Sequence, residues 1–432
     1  MTRLRRPARP VLVVLVASAL AGGVALVTFQ QRAAEAEAKL AAAERALHPA
    51  FADAPELWDV DAEAALAAFE AAEASGAEGG VGRAEAQALA YLQAGELVFA
   101  EEALDEARRA QGHWTPGLRV LAAEIARAGL QSDAAREHVA RALATDPEHP
   151  RALLAKADLA LDARDGRAAA TALARLAEEV PAWAPLHDRR GLALELMGEH
   201  AAAREAFERA VELDPRWASG WINLGRARRR AGETVAAREA FDAALGVAPE
   251  NADGWLGRGL CDLDAGDGAA AREAFERARE LAPHDAQAQV ALADLAAAEG
   301  DGAAAIAGYR AALAENGRDA GVWVKLGNAL VRAGQGAEAE EAYRSAIARA
   351  PQLAAAHNGL GAALMRRGAV EHASTALERA ARLDPVDPHP WMNLALLHEG
   401  RGDTEAARRA WEAALERQPD QALARARLAA LR

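Results

Sequence analysis

Apolar and small positions recur along this chain with a short period nested inside a long one. Across residues 218–251, Trp221, Leu224, Gly225 and Arg228 stand at helical spacing. Ala237, Phe241 and Ala244 then follow at i, i+4 and i+7, which marks one face of a second helix. Gly232 falls between the two stretches, where a helix end calls for a left-handed residue, and Pro249 closes the segment because proline does not continue a helix interior. The spacing therefore predicts a helix–turn–helix hairpin.

The hairpin then repeats. Gly198, Gly232, Gly266, Gly300, Gly334, Gly368 and Gly402 are each 34 residues apart. Pro147, Pro181, Pro215, Pro249, Pro283, Pro351, Pro385 and Pro419 keep the same interval, with Gly317 on the missing rung. Trp255/Gly259/Ala271/Phe275/Ala278 fill the same slots one unit on, as do Trp323/Leu326/Gly327/Ala339/Tyr343/Ala346 and Trp391/Leu394/Ala407/Trp411/Ala414. Small residues at fixed slots let helices approach closely, and a bulky residue fills the space beside them.

This pattern of Trp–Leu–Gly, Ala–aromatic and Ala–Pro at a 34-residue period resembles the tetratricopeptide repeat family. About ten units fit, beginning near Val81, Pro116, Pro150, Ala184, Ala218, Ala252, Ala286, Ala320, Ala354 and Pro388. The units at Pro116 and Pro150 lack the Trp and Gly slots. The resemblance implies an all-α, right-handed α-solenoid spanning residues 81–420. Residues 421–432 would form a capping helix whose Leu423, Leu428 and Leu431 cover the last hairpin.

The resemblance also places repeat positions 2, 5, 9, 12 and 13 on a concave groove. In this chain those slots hold Ile222, Arg226, Arg229 and Arg230, then Leu256, Leu260, Leu263 and Asp264. Further on they hold Val324, Asn328 and Arg332, then Asn358, Met365 and Arg366. The arginines suit an extended peptide with acidic or C-terminal carboxylate groups, since a guanidinium holds a carboxylate through two parallel hydrogen bonds. They equally suit capping of helix C-termini, where cations meet the negative end of the dipole.

Charge and the N-terminus narrow the setting. The net charge of −14 argues against a nucleic-acid partner, which would ask for a basic face. Residues 11–29 form an uncharged apolar run long enough to span a bilayer, preceded in the basic tail 1–10 by Arg3, Arg5, Arg6 and Arg9. The positive-inside rule then puts the N-terminus in the cytoplasm and the repeats across a bacterial inner membrane, with 30–80 as a helical stem and degenerate first repeat. A cleaved signal peptide ending near Ala19-Leu20-Ala21 is the competing reading.

Reactive chemistry is sparse in the sequence. Cys261 is the single cysteine and is expected to be buried, and no metal, cofactor or catalytic motif emerges. His398-Glu399 and the pairs Glu101/Glu102 and Glu340/Glu341 read as solvated, and Asp264/Asp267 as a polar inter-helix turn. Trp183 and Trp217 lie near loops and are candidates for exposed stacking surfaces. The expectation is a membrane-anchored scaffold, not an enzyme, that binds protein or peptide partners in its groove and supports a cell-envelope complex. The alternatives are a structural spacer without a dedicated peptide site, or an enzyme with its active site in the groove.

Overall fold

The structure is a computed structural model that describes residues 81–431. The basic tail 1–10, the apolar run 11–29 and the stem 30–80 lie outside the described residues. Among the described residues no helix is long and apolar enough to cross a membrane. Those residues form twenty-one helices, arranged as ten hairpins and one last helix, with no strand among them. The chain divides after Asp214 into two compact units. The first carries four hairpins, from Val81–Gln93 with Leu97–Gln111 to Ala184–Leu196 with His200–Leu213. The second carries six, from Ala218–Arg230 with Thr234–Val247 to His389–Gly400 with Thr404–Arg417, and ends in Ala422–Ala430.

Each hairpin closes as the glycine register requires. The seven glycines from Gly198 to Gly402 all take positive φ, between 74° and 87°. The chain reverses there at no steric cost, and the residue after each glycine begins or caps the second helix. The two units that lack the glycine keep the same backbone. Leu130 and Arg164 sit at φ 59° and 58°, a conformation that charges any side chain for its Cβ.

Packing between neighbours rests on one aromatic slot. Phe207, Phe241, Phe275, Tyr343 and Trp411 are all nearly or fully buried. Phe241 lies against Gly225 of its own hairpin, where an added Cβ would stand 2.9 Å from the ring, and against Gly257 of the next. Tyr343 is held in the same way between Gly327 and Gly359. Phe241 and Tyr343 therefore fill the seam between their hairpins and the following first helix, and the glycines are what let them in.

A second device ties several first helices to the loop before them. Trp221, Trp255 and Trp323 donate Nε1–H to the carbonyls of Pro215, Pro249 and Gly317 at 2.8–3.0 Å. Gln289 reaches the Pro283 carbonyl and Arg425 the Pro419 carbonyl in the same manner. These tryptophans are half-buried, with their polar ends at the loop, as an amphipathic ring prefers.

Four expectations are corrected. Trp183 is buried at 7% exposure inside the core formed by Leu153, Leu173 and Leu186, so it offers no stacking surface, and Trp217 is half-buried. Glu340 is 3% exposed and is flanked by Arg344 and Arg367, whereas Glu341 faces solvent. Glu399 is half-buried and accepts hydrogen bonds from Trp411 Nε1 at 2.7 Å and Arg427 Nη1 at 3.3 Å. In the final helix Ala424, not Leu423, takes the buried slot; Leu428 and Leu431 pack beside it and Leu423 stays exposed. The buried face therefore runs through 424, 428 and 431, at helical i, i+4 and i+7 spacing.

Candidate functional site

In the 215–432 unit, successive first helices present their exposed slots along one wall, and Ala218–Arg230 packs directly on Ala252–Asp264. Arg226, Arg229 and Arg230 come from the C-terminal half of Ala218–Arg230. Leu256 and Leu260 come from the next first helix, Ala252–Asp264, and meet them. Together with Asp253, Asp264 and Gln287 they enclose a cavity of about 450 Å³. A second cavity of about 510 Å³ continues from Leu256, Leu260 and Gln287 to Leu263, Val290, Asp294 and Lys325. The shared residues make the two one open trough running over four first helices, Ala218–Arg230 to Ala320–Arg332.

The charges along this wall are cross-linked from repeat to repeat. Arg226 Nη2 lies 3.1 Å from Asp253 Oδ2, and Arg229 clasps Asp264 through Nε at 2.6 Å and Nη2 at 3.4 Å. Asp294 accepts from Lys325 Nζ at 2.6 Å and from Tyr309 Oη at 2.6 Å. Burial and then the Asp294 carboxylate push the Tyr309 hydroxyl well above the usual phenol range. Asp285 and Asp319 cap the helices Ala286–Glu299 and Ala320–Arg332 by accepting from backbone N–H groups.

The remaining expected wall residues scatter. Ile222 is buried at 4% with Ala237, Phe241, Ala244 and Cys261, so it belongs to the core and not to the trough. Val324 packs against the core around Tyr309 and Tyr343. Asn328 accepts from Tyr343 Oη at 2.7 Å, and Asn358 from Asn393 Nδ2 at 2.8 Å. Met365 packs on the core near Leu377 and Leu394. Arg366 donates Nη1–H to the Val331 carbonyl at 3.2 Å, in the last turn of the preceding first helix. Arg332 is exposed, and its charge draws the Tyr343 hydroxyl down against the larger upward push of burial. Arg366 thus fits the capping reading, while Arg226, Arg229 and Arg230 line the trough.

Sequence reasoning passed over Gln287, Val290 and Asp294. They occupy slots 2, 5 and 9 of the unit at Ala286, whose Trp slot holds Gln289, so the same slot rule would have found them. Lys325 sits outside those slots and carried no signal. Cys261 is fully buried, and burial raises its thiol to about 11, which leaves it un-ionised at neutral pH. Among the described residues, no three His, Cys, Asp or Glu side chains converge as metal ligands.

Hairpins stacked in sequence within each unit, with a trough on the first helices of the second, make a helical-repeat fold. Residues 184–217 and 222–263 match two models of the tetratricopeptide repeat, and residues 268–426 match the model of the cilia and flagella-associated protein 70 C-terminal domain. Over residues 184–263 the hairpins therefore match tetratricopeptide repeats. The Cut9–Hcn1 hetero-tetramer of APC/C shares the fold with a TM-score of 0.53 at 17% identity, over 86% of this chain and 82% of that one. A tetratricopeptide repeat protein of Parabacteroides merdae ATCC 43184 aligns at 18% identity and TM-score 0.44, over 54% of this chain and 93% of that one. YrrB, a repeat protein with an unusual peptide-binding site, aligns at 21% identity and TM-score 0.35, over 42% and 94%. No curated protein matches the chain.

Proposed function

We propose that this chain is a scaffold that holds an extended protein segment in the trough over Ala218–Arg230 to Ala320–Arg332, tethered to a membrane through residues 11–29. Tetratricopeptide repeats generally mediate protein–protein interaction. The observation that carries the reading here is the continuity of the two cavities across Leu256 and Leu260. That continuity leaves an apolar floor between polar rims, the anatomy of a peptide-binding surface. Because most of the floor belongs to successive first helices, an occupant would touch several repeats at once. The tether rests on the 19 apolar residues of 11–29 and the four arginines before them. The same proposal places the tether in a bacterial cell envelope. Catalysis forms no part of the proposal.

The test is photo-crosslinking of the full chain in native membranes, with a benzophenone amino acid at Leu260 and, as control, at Glu276 on the second helix Gly268–Leu281. Discrete adducts from position 260 and none from 276 are expected. Equal labelling from both positions, or none from 260, favours a spacer that holds its ends apart without gripping a partner. Extraction of the chain from membranes by carbonate would remove the tether from the proposal.

A further inference from the structure

In the first unit, three basic side chains surround the ring of Trp114, in the loop between Leu97–Gln111 and Pro116–Ala128. The Arg108 and Arg119 guanidinium carbons stand 5.6 and 5.4 Å from its centroid, and the His138 ring stands 5.3 Å away. Arg119 Nη1 and His138 Nδ1 are buried atoms with no hydrogen-bond partner. Among the described residues no carboxylate forms an ion pair with either side chain. Arg119 occupies the slot that Trp221, Trp255 and Trp323 fill in later units, where each donates to a loop carbonyl. Arg425, in that same slot of the final helix, reaches the Pro419 carbonyl, so an arginine here has a usual partner that Arg119 lacks. Arg119 also stands in the first turn of Pro116–Ala128, at the positive end of the helix dipole, where a cation is misplaced and an anion is favoured. Two orphaned buried nitrogens beside one ring call for a common acceptor. We infer that this cluster is a phosphate-binding site, with Arg108, Arg119 and His138 as donors around Trp114.

The donor set selects the ligand class. A phosphate group carries about −1.5 to −2 charge at neutral pH and three strong acceptor oxygens. Two guanidinium groups match that charge, whereas a carboxylate would answer only one of them. Burial, and then the Arg119 charge, hold His138 below the ordinary imidazole value, so it is neutral at pH 7. In its Nδ1–H tautomer it supplies one further donor without adding charge. Arg108 is the exposed member of the three. Its side chain is 40% exposed and pairs at 3.3 Å with Asp105, itself 62% exposed, a surface pair that holds it weakly. Arg108 is therefore free to turn outward as the anion enters and to close over it afterwards. Glu137, next to His138, is taken up by Arg141 and leaves the cluster without a competing acid. The trough plays no part in this site.

The test is calorimetric titration of the full chain in detergent with inorganic phosphate, against sodium chloride at matched ionic strength. Saturable binding is expected with phosphate alone. Arg119→Gln should weaken it about tenfold or more, since a charged hydrogen bond is lost. Arg136→Gln, which removes an exposed arginine of the same hairpin paired with Asp133, should leave it unchanged. Phosphate should also raise the melting temperature of the wild-type chain above its value in chloride, a readout that needs no variant. Heats and melting temperatures that are the same in phosphate and chloride overturn the site. So does equal phosphate binding by wild type and Arg119→Gln, which leaves Arg119 as packing for the Trp114 ring alone. A phosphoserine peptide that binds tighter than inorganic phosphate, and loses that binding in Arg119→Gln, supports the site with a phosphorylated side chain as its ligand. A peptide no tighter than the free ion supports it with inorganic phosphate as the ligand.

Discussion

Leu130 and Arg164 pay a conformational cost that glycine would remove. Both sit at the turn position that holds glycine in the later units, with φ near +58°. For an L-residue the left-handed region costs roughly 1–2 kcal/mol, while introducing glycine loosens the unfolded chain by roughly 0.4–1 kcal/mol. Leu130 is 89% exposed, so its removal forfeits almost no packing, and Arg164 is exposed as well. Leu130→Gly and Arg164→Gly should therefore each stabilise by about 0.5–1 kcal/mol, and the two should nearly add because they lie in separate turns. The reverse experiment is Gly266→Ala, at φ +83° with nothing within 4 Å of the new Cβ, which isolates the backbone term and should cost about 1 kcal/mol. Urea unfolding followed by helical signal, with hydrogen exchange across residues 116–179, reads the gain where it arises. A loss of stability in Leu130→Gly, together with no loss in Gly266→Ala, would refute the account of the turn.

Other outcomes follow from the seams between hairpins. Gly257→Ala drives a methyl group into the Phe241 ring and should cost about 1–3 kcal/mol; Phe241→Leu should recover part of this in a double-mutant cycle, and full additivity would mean the ring is not wedged there. Burial raises the Tyr343 hydroxyl to about 12 against an ordinary value of 10. The folded state therefore holds that proton more tightly, stability is intact below pH 10 and falls as pH rises from 10 toward 12; a urea midpoint flat across that window for wild type, or equally steep in Tyr343→Phe, would contradict this. Glu340 is buried while Arg344 and Arg367 are more than half exposed. Removing both arginines should thus be more destabilising, by about 3 kcal/mol against about 1 for Glu340→Ala, because only the first leaves a buried charge unpaired; equal melting shifts would count against that asymmetry.

The fold was legible because its determinants are backbone and volume rules that repeat. Positive-φ glycines, small slots and one aromatic per unit recur at the same register, so each copy corroborates the others. Even the units at Pro116 and Pro150 were readable, since Ala135, Val139 and Ala142 keep the second-helix face after the glycine is lost. The charged pairs were less legible for a physical reason. Partners sit about one repeat apart, as in Arg127 with Asp162, Arg229 with Asp264 and Lys325 with Asp294, and the offset depends on how first helices nest. A one-slot difference decides whether an arginine meets an aspartate, as Arg229 does, or a backbone carbonyl, as Arg366 does. Glu340 shows the same limit for burial, since its neighbour Glu341 has the same chemistry and faces water.

Those inter-repeat pairs bear on how the trough would work. The Arg229–Asp264 clasp joins two neighbouring first helices, so it holds the wall in one geometry before any partner arrives. Preorganisation of that kind lowers the ordering cost of binding. The same clasp occupies a guanidinium that an incoming carboxylate would want. The two effects are unequal: an ion pair with both partners about a third exposed contributes roughly 0–1 kcal/mol, so displacing one arm of it costs little. The floor's Leu260, Leu263 and Val290 are half-buried, Leu256 lies beneath them in the core, and no ion pair competes for this apolar surface. Affinity should therefore be set mainly by the apolar floor. A variant that opens the clasp, Asp264→Asn, should strengthen binding of acidic-ended peptides only slightly while softening the wall.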